Sequence, residues 1–277
     1  MAGRLKGKVA IVTGASRGLG QHCAIGLGRE GATVAIAART EQERDPRLPG
    51  TIYETARLVE EAGGAAFPVV CNVADNESVQ AMVKSVLDRY GRVDVLMTNA
   101  AIQTPGAIST MEIRHWELEF RVNVHGPFYC IRAVLPSMLE QKSGSIVTVS
   151  SISAHRGGSH YGATKRAIEA MSIGLAEELR DKGVAVNCLR PVGGIGTPGL
   201  LYPRDPGQDD YLELGELAPP DSYVEAVVLL AMQTPQTRTG AVWTDAEALR
   251  ALADEATFER FRALNPPNWS ASLAVAR

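Results

Sequence analysis

The chain predicts an α/β fold: three layers, doubly wound, around a mainly parallel seven-stranded sheet. Three observations carry that prediction. Apolar strand-like runs alternate with helix-patterned segments almost throughout, as a string of βαβ units requires. Several runs, Ile146 to Val149 among them, are continuously apolar, which suits strands covered on both faces. The first run, Val9 to Val12, leads through a glycine turn straight into a helical pattern.

Taken in order, strands are expected near 8–13, 32–38, 66–71, 93–98, 144–150, 184–190 and 239–244. Helices fill the intervals near 18–30, 51–63, 76–90, 111–139, 161–182 and 221–233. Two segments break the rhythm. Thr40 to Gly50 is charged and contains proline, and Pro191 to Pro220 holds too much proline and glycine for regular structure. Both follow strands at their C-terminal ends, where open α/β sheets place ligands, and loops of this length usually act as lids or binding segments. Glu247 to Leu264 reads as a helix, and Asn265 to Arg277 as a tail. One domain over 1–277 is the simplest organisation, with a long loop at 40–50, a lid at 191–220 and a C-terminal helix and tail at 246–277.

Bulk properties narrow the partners. A chain of 277 residues with 45% hydrophobic and 21% charged residues has ample interior for a core. A net charge of −3 points to neither nucleic acid nor an anionic membrane as partner. Cys23, Cys71, Cys130 and Cys188 form no C-x-x-C pair and read as buried small hydrophobes in a reducing compartment. The five histidines show no metal-site spacing, so no metal is expected. No window approaches about 18 apolar uncharged residues, and no signal-peptide pattern opens the chain, so a cytoplasmic protein is expected.

The chemistry begins at Thr13-Gly14-Ala15-Ser16-Arg17-Gly18-Leu19-Gly20. Glycines permit a tight turn and close approach of the backbone to phosphates, and a helix N-terminus offers free N–H groups to an anion. Downstream, Tyr161 and Lys165 stand four apart at the start of a helix, so their side chains leave one face. Ser150 and Ser151 end the strand just before. A phenol has a reference pKa of about 10 and is a poor acid or base at neutral pH. An ammonium ~4 Å away at an effective dielectric of ~20 favours the phenolate by about 4 kcal/mol, roughly three pKa units. That brings a tyrosine near operating pH for proton exchange with an alcohol oxygen.

With these residues in hand, the chain resembles the classical short-chain dehydrogenase/reductase superfamily over roughly residues 5 to 245. TGASRGLG, Asn99-Ala100, Asn123, Ser151, Tyr161 and Lys165 all fall in that family's order. The resemblance implies a Rossmann fold and hydride exchange between a nicotinamide cofactor and an alcohol or carbonyl. Tyr161 would be the acid or base, and Lys165 would lower its pKa and hold the nicotinamide ribose. Ser151 would bond the substrate oxygen, with Ser150 as its rival, and Asn123 would hold a water leading to Lys165. Gly14, Ser16, Arg17, Gly18, Leu19 and Gly20 would cradle the pyrophosphate. Asn72 and Val73 would flank the adenine, with Asn99 and Ala100 beside the turn, and Pro191, Ile195 and Thr197 would contact the nicotinamide. The family's usual Asn-Asn-Ala-Gly turn reads Thr98-Asn99-Ala100-Ala101 here, and Ser151 and Tyr161 are ten apart, a trimmed loop.

The second strand ends Ala37-Ala38-Arg39, with no acid where NAD sites place one for the adenosine ribose. Arg39 and Arg17 suit a 2′-phosphate, so NADP(H) is expected over NAD(H), although Glu41 and Glu43 could turn back toward the ribose. Ser153, His155, His160, Leu200 and Tyr202 are candidate substrate contacts, and Arg156 could capture a carboxylate. The apolar lid suggests a hydrophobic secondary alcohol, ketone or aldehyde. Met111 and Trp116 are expected to pack the long helix. A narrower resemblance, through Arg39 to Pro46, Gly50-Thr51-Ile52 and Thr239 to Asp245, is to the branch of hydroxysteroid-dehydrogenase-like proteins and citronellol-type alcohol dehydrogenases. The long helix and the one bearing Tyr161 resemble those that make the family's dimer or tetramer interface. A cofactor-binding scaffold without turnover is the alternative.

Overall fold

In a computed structural model, residues 3–155, 160–201, 216–270 and 273 are described. Seven strands form one sheet in the order β3-β2-β1-β4-β5-β6-β7. They are β1 (Val9–Thr13), β2 (Thr33–Ala38), β3 (Ala65–Val70), β4 (Val95–Thr98), β5 (Gly144–Val149), β6 (Val184–Arg190) and β7 (Val242–Thr244). Every pairing is parallel. The helices are α1 (Gly18–Arg29), α2 (Ile52–Glu61), α3 (Asn76–Tyr90), α4 (Ile113–Phe120), α5 (Gly126–Gln141), α6 (His160–Leu179), α7 (Pro198–Leu201), α8 (Asp221–Ala231), α9 (Asp245–Leu252) and α10 (Glu255–Leu264).

Strand alternation divides the core into two. Ala10 and Val12 of β1 point to the face covered by α1, α2, α8, α9 and α10, where Leu27, Ile52, Val59, Tyr223 and Trp269 are buried. Val9 and Ile11 point to the face covered by α3, α5 and α6, where Met82, Val86, Ile131, Met138 and Leu179 are buried. Burying each such large side chain stabilises the fold by about 1.5–3 kcal/mol. β3 closes one edge, and its Pro68, with no N–H to give the ladder, suits that edge position.

Three boundaries depart from the expected ones. The helix expected at 111–139 is α4, a π turn at Arg121–His125, then α5. Pro127 has no N–H to take the Asn123 carbonyl in the ordinary i+4 way, so the backbone widens there. Trp116 does not pack that helix into the core: it is 38% exposed and lies against Phe120 instead, and Met111 precedes the helix. The helix expected at 247–264 is two, because Ala253 is extended and Asp254 caps α10 through Thr257 N. The last strand starts at Val242, not 239, because Gly240 takes φ +79° and Thr239 Oγ1 accepts from Val186 N.

The crossover between β1 and β4 is the switch point at which β1 pairs with β2 on one side and β4 on the other. The C-terminal ends of β1 and β4 open a crevice there, the place such sheets bind ligands.

Candidate active site

The turn after β1 is shaped by two close approaches. Gly14 has φ +65°, and a Cβ on it would lie 2.7 Å from Ala100 Cα. A Cβ on Gly20 would lie 2.5 Å from Asn99 Nδ2 and from Gly14 O. Asn99 spends its side chain on this turn, with Nδ2 donating to Thr13 O at 2.9 Å and Gly14 O at 3.2 Å. Thr13 Oγ1 accepts from Asn99 N and Ala100 N, each at 3.1 Å. Ser16 is buried beneath the turn, and Leu19 packs against the core. Thr197 leans over Gly18, whose Cβ would meet Thr197 Cβ at 3.5 Å.

α1 differs from its neighbours at its start. Thr51, Asp75, Thr244 and Asp254 cap α2, α3, α9 and α10 with side-chain oxygens. α1 has no side-chain cap and no acid in its first turn. Its leading N–H groups and positive dipole end therefore fit an anionic diphosphate bridge.

Beyond the turn, Arg17 Nε and Nη2 donate to Pro49 O and Gly50 O at 3.0 and 3.1 Å, which fastens the 40–50 loop over the helix start. Burial holds the Arg17 guanidinium below its usual range, with Glu43 pulling it up and Arg39 pushing it further down. Glu43 is occupied by Gly50 N and Glu41 by the Tyr53 hydroxyl. Arg39 is exposed and, among the described residues, has no hydrogen bond or ion pair. It lines a cavity of about 390 Å³ with Asn72, Asp75, Arg121 and Val122. Asn72 Oδ1 accepts from Ala74 N at 3.3 Å, and Val73 is buried against Gly126.

On the far side of the crevice, Lys165 is 3% exposed and its Nζ donates to Val149 O at 2.9 Å. The same Nζ lies over the Tyr161 ring, 5.4 Å from its centroid. Burial lowers the lysine from 10.5 to about 8, so the ammonium is itself a titrating charge. Ser150 and Ser151 part company, as adjacent residues in extended chain do. Ser150 Oγ turns inward to Glu169 Oε1 at 2.8 Å, while Ser151 stays half-buried and its Oγ accepts from Ser153 N at 3.2 Å. Asn123 is buried, and its side chain is fully engaged. Oδ1 accepts from Ile102 N at 2.8 Å, and Nδ2 donates to Ile102 O at 2.7 Å and Thr164 Oγ1 at 3.1 Å.

The remaining candidates scatter. His155 Nε2 lies 3.0 Å from Glu169 Oε1, with Arg166 on the same carboxylate at 2.9 Å. His160 is buried with Nδ1 2.9 Å from Glu119 Oε1. Leu200 is half-buried on α7, Ile195 is buried and bridges Ala218, and Pro191 precedes Val192, whose N–H is held by Asp245 at 2.9 Å. Tyr202 and Arg156 lie outside the described residues. Sequence reasoning missed Glu119, Glu169 and Asp245, three buried carboxylates around the site. Of these, only Asp245 left a signal, inside the Thr244-x-x-Glu247 capping box.

With this geometry in view, the short chain dehydrogenase family model matches residues 8–200. The chain belongs to the short-chain dehydrogenase/reductase family. It is 33% identical over 245 residues to a 3-oxoacyl-[acyl-carrier-protein] reductase, FabG, of Thermotoga maritima, covering 86% of this chain and 96% of that one. Among solved structures it resembles a metagenomic short-chain oxidoreductase in complex with NADP, with TM-score 0.71 and 30% identity over 87% of this chain and 97% of that one. A short chain dehydrogenase of Mycobacterium thermoresistibile gives TM-score 0.78 at 28% identity, covering 92% and 91%. As a family member the chain is an oxidoreductase of alcohol or carbonyl groups with a nicotinamide cofactor. No helix among the described residues is long and apolar enough to cross a membrane.

Proposed function

We infer that this chain is an NADP(H)-dependent reductase or dehydrogenase acting on a hydrophobic secondary alcohol, ketone or aldehyde. The observation that carries the reading is Lys165 Nζ held between Val149 O and the Tyr161 ring, in a chain whose first strand ends in the turn of Gly14, Gly18 and Gly20. The cofactor supplies the hydride when bound. α1's leading N–H groups would hold its diphosphate, and Lys165 would hold the ribose that carries the nicotinamide. Tyr161 gives its phenolic proton to the carbonyl oxygen, or takes it back in the reverse direction. Ser151 Oγ donates a hydrogen bond to that same oxygen as charge grows there. Lys165, while protonated, favours the phenolate left behind. Asn123 keeps the β4 loop and α6 in register, and the π turn around it loosens the backbone carbonyls that a water would use.

NADP(H) is favoured over NAD(H) by the uncompensated Arg39 beside Arg17, two guanidinium groups close enough to repel each other. A 2′-phosphate relieves that repulsion. Arg39→Ala should weaken NADPH binding by about tenfold or more and leave NADH within about twofold, read by cofactor fluorescence titration. The hydrophobic substrate class follows the expected apolar lid and the narrower resemblance to hydroxysteroid- and citronellol-type dehydrogenases. The FabG relative makes 3-oxoacyl thioesters a second substrate set to try.

Self-association through α5 and α6 fits Phe128 at 48% and Ile173 at 52% exposure, whereas Ile131 is core at 3%. Sedimentation at a monomer mass would remove that idea. We place the protein in the cytoplasm, where its four free cysteines stay reduced. The reading is tested by mixing NADPH with a panel of hydrophobic ketones, aldehydes and 3-oxoacyl thioesters. Stoichiometric loss of NADPH and carbonyl supports it, and tight NADPH binding with no turnover of any panel member favours the scaffold.

A further inference from the structure

Helix α4 is inverted for an amphipathic helix. Ile113 and Leu118 are exposed, whereas Glu119 is 1% exposed. A carboxylate so buried persists only with strong partners, and Glu119 has them. Its Oε2 accepts from Thr104 N and from Thr104 Oγ1, each at 2.7 Å. His160 Nδ1 lies 2.9 Å from Oε1 and 3.1 Å from Oε2, and His160 is itself 7% exposed. Thr104 is in the loop leaving β4, and His160 opens α6 one residue before Tyr161.

The arrangement repeats, one helical turn earlier, what Asn123 does. Asn123 joins Ile102 of the same loop to Thr164 of α6. Residues 119 and 123 are four apart, 160 and 164 are four apart, and 102 and 104 share one loop. One helical segment therefore grips the same two partners twice, once with an amide and once with a carboxylate. We propose that Glu119 is a positioning residue for the Tyr161–Lys165 pair, fastening the first turn of α6, through His160, to the loop leaving β4, through Thr104.

This rests on the reading of Tyr161 and Lys165 as the reacting pair. Tyr161 follows the tethered His160 directly, so the seat of the imidazole sets the direction of the phenol. Placed at the N-terminal end of a 20-residue helix, the carboxylate also meets a favourable dipole. Its charge reaches Lys165. Among the described residues, the groups near that ammonium are Tyr161 on its own helix, Cys188 on β6 and Glu119 on α4. Burial pushes the Cys188 thiol up to about 11, so it is neutral at working pH, and Glu169 and Arg190 act on Cys188. Glu119 is thus the anion that favours the Lys165 ammonium.

The test compares Glu119→Gln and Glu119→Ala in the full chain, with three readouts. These are the Lys165 titration midpoint by NMR of isotope-labelled lysine (assigned against Lys165→Arg), amide exchange at Thr104 and the first turn of α6, and kcat and KM for NADPH-dependent reduction. Both variants should lower the Lys165 midpoint by roughly half a pH unit or more. Glu119→Gln keeps the acceptor for Thr104 and should retain most of kcat. Glu119→Ala should speed exchange in both segments and cut kcat by about ten- to a hundredfold, with KM for NADPH within about twofold. Unchanged exchange with an unchanged Lys165 midpoint would overturn the proposal, as would a lower Tm with kcat intact. If Glu119→Ala does not fold, the Lys165 midpoint in Glu119→Gln decides. If the wild-type chain turns over no carbonyl, the enzymatic reading fails, and the exchange and lysine readouts still decide the tether.

Discussion

Lys165 pairs a useful charge with an unfavourable place to keep it. Its folded value of about 8 lies below the ordinary 10.5, so between the two the unfolded chain binds more protons than the folded one. Stability must then rise with pH across that window, and it is lowest, by this group's contribution, below about 8. Relative to Lys165→Met, the wild-type chain should gain about 2 kcal/mol of unfolding free energy between about pH 7 and about pH 9.5, measured by urea denaturation. In the proposed mechanism the same titration limits the chemistry, because the ammonium would assist the Tyr161 phenolate only while it holds its proton. The Tyr161–Lys165 spacing was legible in the sequence because four residues on a helix are neighbours. The lowered lysine value was not, since it comes from burial among elements distant in the chain, which Cys188 and Glu119 oppose only in part.

At the scale of elements, the α4–π–α5 segment explains why one polar side chain governs a whole corner of the site. Asn123 meets three polar groups at once, and Pro127 sets the widened backbone around it. Asn123→Ala should cost about 3 kcal/mol of stability, because Ile102 and Thr164 lose their partners inside the protein. Unfolding midpoints in urea check this, and a loss below about 1 kcal/mol would mean that water replaces the amide. Periodicity located this helix to within a few residues but could not show its interruption, since Pro127 and Pro136 both lie inside helical pattern. It also led Trp116 inward and missed Glu119, because hydrophobic periodicity assumes that apolar residues face the core. Where α4 crosses the site, a buried carboxylate with three hydrogen-bonding partners outweighs that preference.

Across the whole molecule, the sheet was the most legible part, because strands buried on both faces announce themselves as apolar runs. The closing of the C-terminal region was less so. Asp245, at the end of β7, accepts from Val192 N, Ser222 Oγ and Trp269 Nε1, and so ties the segment after β6, α8 and the chain beyond α10 to one point. Burial raises its carboxyl above the usual range against those three donors. Stability from such a group is present below its unfolded value of 3.8 and is lost as pH rises through the folded one. Trp269→Phe removes one donor and should lower Tm by roughly 3–8 °C near neutral pH, seen by calorimetry.

The fold, the glycine turn and the proton-bearing pair meet in one claim, that Tyr161 passes a proton while a nicotinamide passes a hydride to the same carbonyl. Its most direct test is a single-turnover reaction with NADPH deuterated at the transferable position, run with the wild-type chain and with Tyr161→Phe. The account predicts deuterium on the product carbinol carbon and a rate at least about a thousandfold lower in the variant, with NADPH affinity within a few fold. Equal rates in the two proteins, or a product free of deuterium, would contradict it.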